Sequence, residues 1–412
     1  MGLGLSTTII SVAAVFVLLN SSIIASALLG PETSRGALYV VLVMARVIFA
    51  VPDRIQQTLF RVKKWSIPFV IILCLRLILN VSINLVLLNF GWGILGILTG
   101  NLITAVVIAL VRIPTMLVVF GLPESLDLGL CKRIMLFAWP LAISNFLALG
   151  MHQCDRYILR LNTDMTEIGL YSVGYGIAQA AAGLIMAAFA SVFRVTAYEA
   201  SSEEQADHFY ARVFEFFVYG MTTAMLIISI FSKPLVAIMA SPSFASASEI
   251  VPIICLAYLI FSVHDQFRLP ALLSGRTTHL LPVSVIALII NISSNFLLIP
   301  IFGIHGSAWA TVITFLVYST LTLFVCRQMQ KIPYQLGRSL LTVGSAFVAF
   351  VLFSRFSAET TVLTQILIGL GVLTAWMLII AMINYRHIRQ AIGHLPFWKS
   401  LRPKASFHKR VI

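Results

Sequence analysis

The chain contains about a dozen apolar runs, most of them long enough to cross a bilayer, separated by short polar breaks. A helix needs about 20 apolar residues to span the hydrocarbon core, because each residue advances the helix by about 1.5 Å. The runs predict spans near residues 5–29, 36–52, 66–90, 93–112, 132–153, 167–193, 213–232, 249–264, 280–301, 304–326, 338–355 and 361–384. We therefore predict an all-α polytopic membrane protein of about 12 transmembrane helices.

The composition excludes a soluble protein. Only 10% of the residues are charged, 59% are hydrophobic, and the mean hydropathy is +0.99, whereas a soluble domain has about 25% charged residues. The five cysteines (Cys74, Cys131, Cys154, Cys255 and Cys326) form no CxxC pair and lack the spacing of metal ligands. We predict no disulfide, no metal and no cofactor.

The net charge of +13 is distributed as membrane topology requires, and we predict no nucleic-acid partner. Of the 28 Lys and Arg residues, 21 fall on one side of the predicted membrane, five fall on the other, and Arg46 and Arg76 lie inside spans. Because positive loops stay in the cytoplasm, both termini are predicted to be cytoplasmic, with the chain in the inner membrane. Seven of the positive charges lie in the tail after residue 384, a composition that favours contact with anionic membrane lipids.

An internal repeat relates two pairs of predicted spans. Asn80-Val-Ser-Ile-Asn84 recurs as Asn291-Ile-Ser-Ser-Asn295, 211 residues later. Gly93-Ile-Leu-Gly96 recurs as Gly303-Ile-His-Gly306, and Asn101-Leu-Ile-Thr104 as Thr311-Val-Ile-Thr314, both 210 residues later. Six spans separate the copies, so both copies cross the membrane in the same direction, as in the parallel repeats of some transporters.

The repeat predicts two pseudo-symmetric helical lobes, of which the first is truncated. Residues 128–330 form a six-helix C-terminal lobe, whereas residues 1–127 contain only four helices and lack an opening hairpin. Either the hairpin has been lost or the chain starts late, and the apolar run directly after Met1 favours the second explanation. Two extra helices are predicted at 331–384, followed by a basic cytoplasmic tail at 385–412.

Several segments of the second half resemble a known family. They are Asp155-Arg156-Tyr157-Ile158-Leu159, Gly169-Leu170-Tyr171-Ser172, Phe231-Ser232-Lys233-Pro234, Phe244-Ala245-Ser246-Ala247, Val251-Pro252-Ile253, Asn295-Phe-Leu-Leu-Ile-Pro300 and Gly303-Ile-His-Gly306-Ser-Ala308-Trp-Ala310. In these segments the chain resembles the bacterial O-antigen and polysaccharide exporters. These proteins are the lipid-linked oligosaccharide flippases of the multidrug/oligosaccharidyl-lipid/polysaccharide exporter superfamily.

The resemblance implies two six-helix lobes in a V around a central cavity, with two further C-terminal helices in the fourteen-helix members. The twelve predicted spans would correspond to helices three to fourteen, so residues that the family places on its first two helices have no counterpart here. The chain also departs from the family at Ala240-Ser241-Pro242, where many relatives have a Gly before the polar turn.

Arg46 and Arg76 are the first candidate substrate-binding residues. Arg76 lies about 15 Å into its span and Arg46 about 12 Å from the same membrane face, and a charge at such depth normally faces a wet cavity or a partner. All Asp and Glu residues fall in predicted loops or at span ends, so neither arginine is expected to have an acidic neighbour. With Asn80 and Asn84, one and two turns beyond Arg76, the two guanidiniums would cradle a pyrophosphate. Alternatively, the arginines snorkel or bond backbone carbonyls.

Asp155 and Arg156 are the remaining candidates. They end the fifth predicted span on its outer side, where they would form a polar substrate-binding cluster with His152 or, alternatively, an interfacial ion pair that fixes helix depth.

The residues and the resemblance together predict a transporter and not an enzyme. No Gly-rich phosphate loop is present, and the mid-membrane arginines suit an anionic substrate. The expected activity is flipping of a polyprenyl-pyrophosphate-linked oligosaccharide across the inner membrane, with polysaccharide polymerase and glycosyltransferases as further partners. The alternative is a multidrug cation/H⁺ or Na⁺ antiporter of the same superfamily, which would need a buried carboxylate.

Overall fold

The computed structural model describes residues 17, 20–29, 35–62, 65–120, 128–357 and 362–394, and these are almost entirely helical. The α-helices are α1 (Ser21–Leu29), α2 (Gly36–Val62), α3 (Ser66–Asn89), α4 (Gly93–Phe120), α5 (Leu128–Asn162), α6 (Met165–Ala200), α7 (Ala206–Ile230), α8 (Ser232–Met239), α9 (Ile250–Phe267), α10 (Leu269–Leu273), α11 (Leu280–Arg327), α12 (Leu336–Ser357) and α13 (Val362–His394). Two 3₁₀ segments, Pro242–Glu249 and Thr277–His279, precede α9 and α11.

Nine helical stretches of the described residues are long and apolar enough to cross a bilayer. The stretch Thr277–Arg327 contains a break at Gly303 and therefore consists of two helices, as the sequence predicts. Gly36–Ala50 is a shorter apolar segment. The predicted all-α polytopic fold is confirmed; the first predicted span, 5–29, lies largely outside the described residues.

Two helices extend well beyond the predicted spans, and this changes where their charged residues lie. α5 continues to Asn162, so Asp155 and Arg156 lie inside a helix and not at its end. α4 continues to Phe120, past the predicted end of its span at residue 112, so Arg112 also lies inside a helix. Helix is the simplest way for a chain in lipid to satisfy its backbone N–H and C=O groups, so isolated charges do not end it.

The chain divides into two compact units, unit 1 (Met1–Leu136) and unit 2 (Phe137–Ile412). The boundary lies within α5. The finer sequence-based division at residues 127, 330 and 384, including the truncated first lobe, stays a prediction.

The core of unit 2 packs α6 against α7, α9 and α11. Tyr171, Met221 and Ile254 are fully buried in it. At Gly174 a Cβ would lie only 2.6 Å from the carbonyl oxygen of Ala247, so glycine permits α6 to approach the 3₁₀ segment before α9. Tyr171, one turn before Gly174 on α6, is buried in the same core.

The sequence repeat is also a structural repeat. Gly93 and Gly303 both have a positive φ, +52° and +56°, which non-glycine residues rarely adopt. At Gly96 a Cβ would press on Leu87, and at Gly306 on Leu298, which is 211 residues beyond Leu87. Each copy of the repeat therefore makes the same tight helix–helix turn.

Candidate functional site

Unit 1 contains a buried carboxylate, Asp53 of α2, that two arginines share. Its Oδ2 lies 3.0 Å from Nη1 of Arg76 on α3, and its Oδ1 lies 2.8 Å from Nη2 of Arg112 on α4. The side chain of Asp53 is 5% exposed and that of Arg112 only 1%, whereas that of Arg76 is 43% exposed. We call these three residues the Asp53 cluster.

Neighbouring side chains contact part of the Arg112 guanidinium, whose buried Nε has no hydrogen-bond partner among the described residues. Its Nη1 donates to Oε1 of Gln56 at 2.9 Å, and Gln56 in turn donates to the hydroxyl of Thr115 at 2.9 Å. The guanidinium also lies 5.7 Å from the ring centroid of Phe60. A buried charge is tolerated when an opposite charge and hydrogen bonds compensate its lost hydration, and Arg112 has both. Arg112 and Asp53 are therefore internal structural charges.

The expectation that Arg76 has no acidic neighbour is wrong. α2 and α4 both pack against α3, which brings Asp53 to a residue 23 positions away along the chain. The expectation was based on sequence distance along a single helix, which cannot detect pairing between neighbouring helices.

The Asp53 cluster keeps an excess of positive charge. Two guanidiniums surround one carboxylate, and only Nη1 of Arg76 contacts Asp53. A guanidinium carries five N–H donors, so most donors of the half-exposed Arg76 have no protein acceptor within the described part of the chain. Asp53 therefore holds Arg76 in position, while part of the Arg76 side chain stays exposed.

Arg46 is not drawn into this cluster. It lies on α2, two turns before Asp53, with an exposed side chain. It makes no hydrogen bond or ion pair with any residue of the described ranges. Asp53 therefore positions Arg76 as its counterion, whereas Arg46 has no counterion among the described residues.

Asn80 and Asn84 connect α3 to α4 and to each other. Nδ2 of Asn80 donates to Oδ1 of Asn101 at 2.8 Å, and Nδ2 of Asn84 donates to Oδ1 of Asn80 at 3.3 Å. At Gly100 a Cβ would collide with Oδ1 of Asn84. Asn80 therefore bonds across to α4, whereas Asn84 bonds only Asn80 and packs against Gly100, and its buried Oδ1 has no hydrogen-bond partner among the described residues.

The equivalent asparagines of unit 2 make a related network. Nδ2 of Asn291 donates to Oγ1 of Thr314 at 3.2 Å, and in unit 1 Asn80 and Thr104 make the equivalent contact at 3.5 Å. Oδ1 of Asn295 accepts from the hydroxyl of Ser307 at 3.0 Å. The polar residues of the repeat therefore join the two helices of each copy.

Asp155 is fully buried in unit 2, with 0% exposure. Its Oδ2 accepts a hydrogen bond of 2.6 Å from the hydroxyl of Tyr171, and its Oδ1 accepts one of 2.8 Å from the backbone N–H of Arg156. The guanidinium of Arg156 lies 3.4 Å from the same oxygen. α5 continues past Asp155, so this residue does not end a helix, and the interpretation of the pair as interfacial stays a prediction.

Arg156 and His152 extend this group into a polar and aromatic cluster. Nη1 of Arg156 donates to the backbone oxygen of His152 at 2.8 Å, and its guanidinium lies 4.6 Å from the ring centroid of Tyr175. Nδ1 of His152 is 2.8 Å from the hydroxyl of Tyr175 and 3.2 Å from that of Tyr258. The predicted clustering of Asp155 and Arg156 with His152 is thus present, but inside the unit.

The six predicted residues fall into separate groups. Arg46, Arg76, Asn80 and Asn84 belong to unit 1, and Asp155 and Arg156 belong to unit 2. Sequence reasoning missed Asp53, Arg112, Tyr171, Tyr175 and Tyr258 as site residues. A signal was present in Tyr171 and Tyr175, which are four residues apart and therefore lie on one face of α6.

Three comparisons with known proteins bear on this fold. The chain matches a solved structure described as "Lipid II flippase MurJ, inward closed conformation" with a TM-score of 0.61 and 13% identity, over 94% of this chain and 83% of that one. It matches a mutant of the MATE transporter VcmN of Vibrio cholerae with a TM-score of 0.60 and 14% identity, over 79% of this chain and 77% of that one. At these identities the likeness concerns the fold. No curated protein matches the chain.

Residues 5–249 match the family model described as "Polysaccharide biosynthesis protein". The match covers more than half of the chain and agrees with the predicted resemblance to polysaccharide exporters. The family match, the apolar helices and the two similar structures show a multi-pass membrane protein with the fold of the multidrug/oligosaccharidyl-lipid/polysaccharide exporter superfamily. The chain belongs to the Polysaccharide biosynthesis protein family.

Proposed function

We propose that this protein is a flippase that moves a polyprenyl-pyrophosphate-linked oligosaccharide across the inner membrane. Family membership and the likeness to a solved lipid II flippase support a membrane transporter of this general class. The substrate assignment depends on one observation: Arg76 is anchored on Asp53 while its side chain stays 43% exposed.

A diphosphate is the chemistry that this arrangement favours. The free N–H donors of a guanidinium bind phosphate oxygens in pairs, and the cluster has one more positive than negative charge. Arg46, two turns away on α2, supplies a further uncompensated charge. Asn80 and Asn84 act in this proposal by holding α3 on α4, and not by direct contact with the substrate.

Transport proceeds by alternating access, with the headgroup shielded by protein and the polyprenyl chain in the bilayer. The protein carries no reaction of its own in this proposal; polysaccharide polymerase and glycosyltransferases act before or after it. The excess of Lys and Arg in the loops on one side of the membrane supports a cytoplasmic location of both termini. Asp155 and Arg156 belong to a separate polar cluster in unit 2, for which we propose a supporting role along the substrate path.

A second candidate function is export of an organic cation coupled to H⁺ or Na⁺. The fully buried Asp155 favours it, because a buried carboxylate is the group that such transport needs. Asp53 does not favour it, because two arginines already neutralise that carboxylate.

The test is transbilayer movement of a fluorescent polyprenyl-pyrophosphate disaccharide in proteoliposomes that contain the full chain. Movement is read from the fraction of probe that external dithionite quenches. The double variant Arg46→Gln/Arg76→Gln should reduce the rate to the protein-free background, because both exposed guanidiniums are lost. Arg133→Gln, which removes an exposed arginine of unit 1 outside the Asp53 cluster, should leave the rate unchanged.

Two results would contradict the proposal. The first is wild-type movement of the probe by Arg46→Gln/Arg76→Gln. The second is uptake of a cationic dye driven by a pH or Na⁺ gradient, lost in Asp155→Asn, in vesicles that show no movement of the diphosphate probe.

A further inference from the structure

Two adjoining cavities lie inside unit 2 between α7, α9 and α12. The first has a volume of about 140 Å³ and is lined almost wholly by apolar side chains, among them Met225, Leu256 and Phe347. The second has a volume of about 300 Å³. Ser229, Pro252, Ile253 and Phe350 line both cavities, so the two adjoin at these residues along one crevice. We call it the α7–α9–α12 crevice.

The two ends of the crevice differ in polarity. The second cavity is lined by Ser232, Lys233, Ser248, Glu249 and Ser354, which lie where α7 ends, where α8 and α9 begin and near the end of α12. Helix ends are the level at which lipid headgroups meet a membrane protein. From Ser229 the apolar cavity follows α7 back to Thr222, about 10 Å deeper along the helix. The crevice thus has a polar mouth and an apolar interior.

The mouth contains both signs of charge without pairing them to each other. Lys233 is exposed and makes no ion pair within the described ranges. The only ionisable side chain in contact with Glu249 there is His305, whose Nε2 lies 3.4 Å from the Glu249 Oε2. The hydroxyl of the buried Ser232, next to Lys233, has no hydrogen-bond partner among these residues. A ligand with one phosphate and one ammonium group would satisfy this set.

We propose that the α7–α9–α12 crevice binds a zwitterionic phospholipid of the phosphatidylethanolamine class. The phosphate contacts Lys233 and Ser232, the primary ammonium contacts Glu249, and one acyl chain enters the apolar cavity. Phe347 and Trp309, which line that cavity, are 50% and 44% exposed, so it is open to the lipid around unit 2. The binding energy for the acyl chain comes from contact with the apolar lining, and Lys233 and Glu249 select the headgroup.

This site is independent of the proposed substrate. It lies in unit 2, its charges differ from those of the Asp53 cluster, and a diphosphate without an amine would leave Glu249 facing like charge. A resident phospholipid here would hold α12 against α7 and α9.

The experiment measures lipids retained by the purified full-length protein. The protein is reconstituted in nanodiscs of equal parts phosphatidylethanolamine and phosphatidylglycerol and extracted into detergent, and the bound lipids are quantified by native mass spectrometry. Wild type should retain phosphatidylethanolamine preferentially. Glu249→Gln should lower that preference about fivefold while keeping phosphatidylglycerol, and Lys233→Ala should weaken retention of both lipids about fivefold. Ile253→Trp, at the junction of the cavities, should abolish retention.

Matched variants separate these effects from general damage. Arg355→Ala removes an exposed charge of α12, and Val348→Trp adds the same bulk at an exposed position of α12; neither residue lines the crevice. Both should retain lipid like wild type. Equal retention by Lys233→Ala and Arg355→Ala, or by Ile253→Trp and Val348→Trp, would overturn the proposal. Equal retention of the two lipids by wild type would also overturn the proposal. Glu249→Gln is a conservative change at an exposed position and therefore provides a folded comparison.

Discussion

Arg112 and Asp53 form an ion pair of 2.8 Å in which both side chains are almost completely buried. Removing the carboxylate would leave Arg112 charged and uncompensated in the interior of unit 1. Asp53→Asn is therefore expected to lower the free energy of unfolding by about 3–5 kcal/mol. Thermal unfolding of the purified protein in detergent measures this loss as a fall in Tm.

Arg76→Gln provides the contrast, because it removes the more exposed partner and leaves the Asp53–Arg112 pair in place. Solvent screening at Arg76 limits its expected loss to about 1 kcal/mol or less. If Asp53→Asn melts at the wild-type temperature, or no lower than Arg76→Gln, Asp53 is not the structural counterion of Arg112.

Tyr171→Phe should destabilise unit 2 by removing a buried hydrogen bond. The hydroxyl donates to Oδ2 of Asp155 at 2.6 Å, and both side chains are fully buried. An unsatisfied buried acceptor costs about 1–3 kcal/mol. A double-mutant cycle with Asp155→Asn should show coupling, with the double variant less destabilised than the sum of the single variants. Tyr157→Phe, at an exposed position of α5, is the control; additive effects in the cycle would count against a direct bond.

Gly306→Ala should destabilise the turn between the two helices of α11. A Cβ at this position would collide with the backbone of Leu298, and overpacking of this kind costs about 1–3 kcal/mol. Gly220→Ala, where a Cβ meets nothing within 4 Å inside α7, should be neutral or slightly stabilising. Differential scanning fluorimetry compares the two. Equal Tm values for the two variants would mean that the turn is less tightly packed than described.

The predicted orientation of the chain can be tested by cysteine labelling in intact cells. In a variant without the five native cysteines, Met165→Cys at the start of α6 should react with a membrane-impermeant maleimide. Ser202→Cys, after the end of α6, should react only after permeabilisation. The positive-inside rule requires this order, since Arg194 and Arg212 flank the second site on the side with most of the positive charge. The reverse pattern would place both termini outside.

The fold could be predicted from the sequence because bilayer thickness sets the length of apolar runs and the repeat locates a turn. Gly93 and Gly303 were paired by their sequence context, and their positive φ values agree. Helix ends were harder to predict. The charges of Asp155 and Arg156 indicated the end of a span, yet backbone hydrogen bonding continues α5 past them to Asn162.

The candidate site could be predicted only in part from the sequence. Arg76 stands out in the sequence because a charge inside an apolar run is conspicuous. Its pairing with Asp53 depends on the rotation and depth of α2 against α3, which side-chain packing determines. The same holds for Tyr171, whose polar role becomes visible only when α6 is placed beside α5.

The sharing of one aspartate between two arginines has a consequence for the transport cycle proposed above. A headgroup that engages Arg76 competes with a resident anion, and Asp53 keeps Arg112 as its other partner throughout. Asp53 stays beside the Arg76 guanidinium when the headgroup leaves. In the proposed cycle the unloaded protein therefore keeps a counterion for Arg76, and competition from Asp53 favours release of the headgroup.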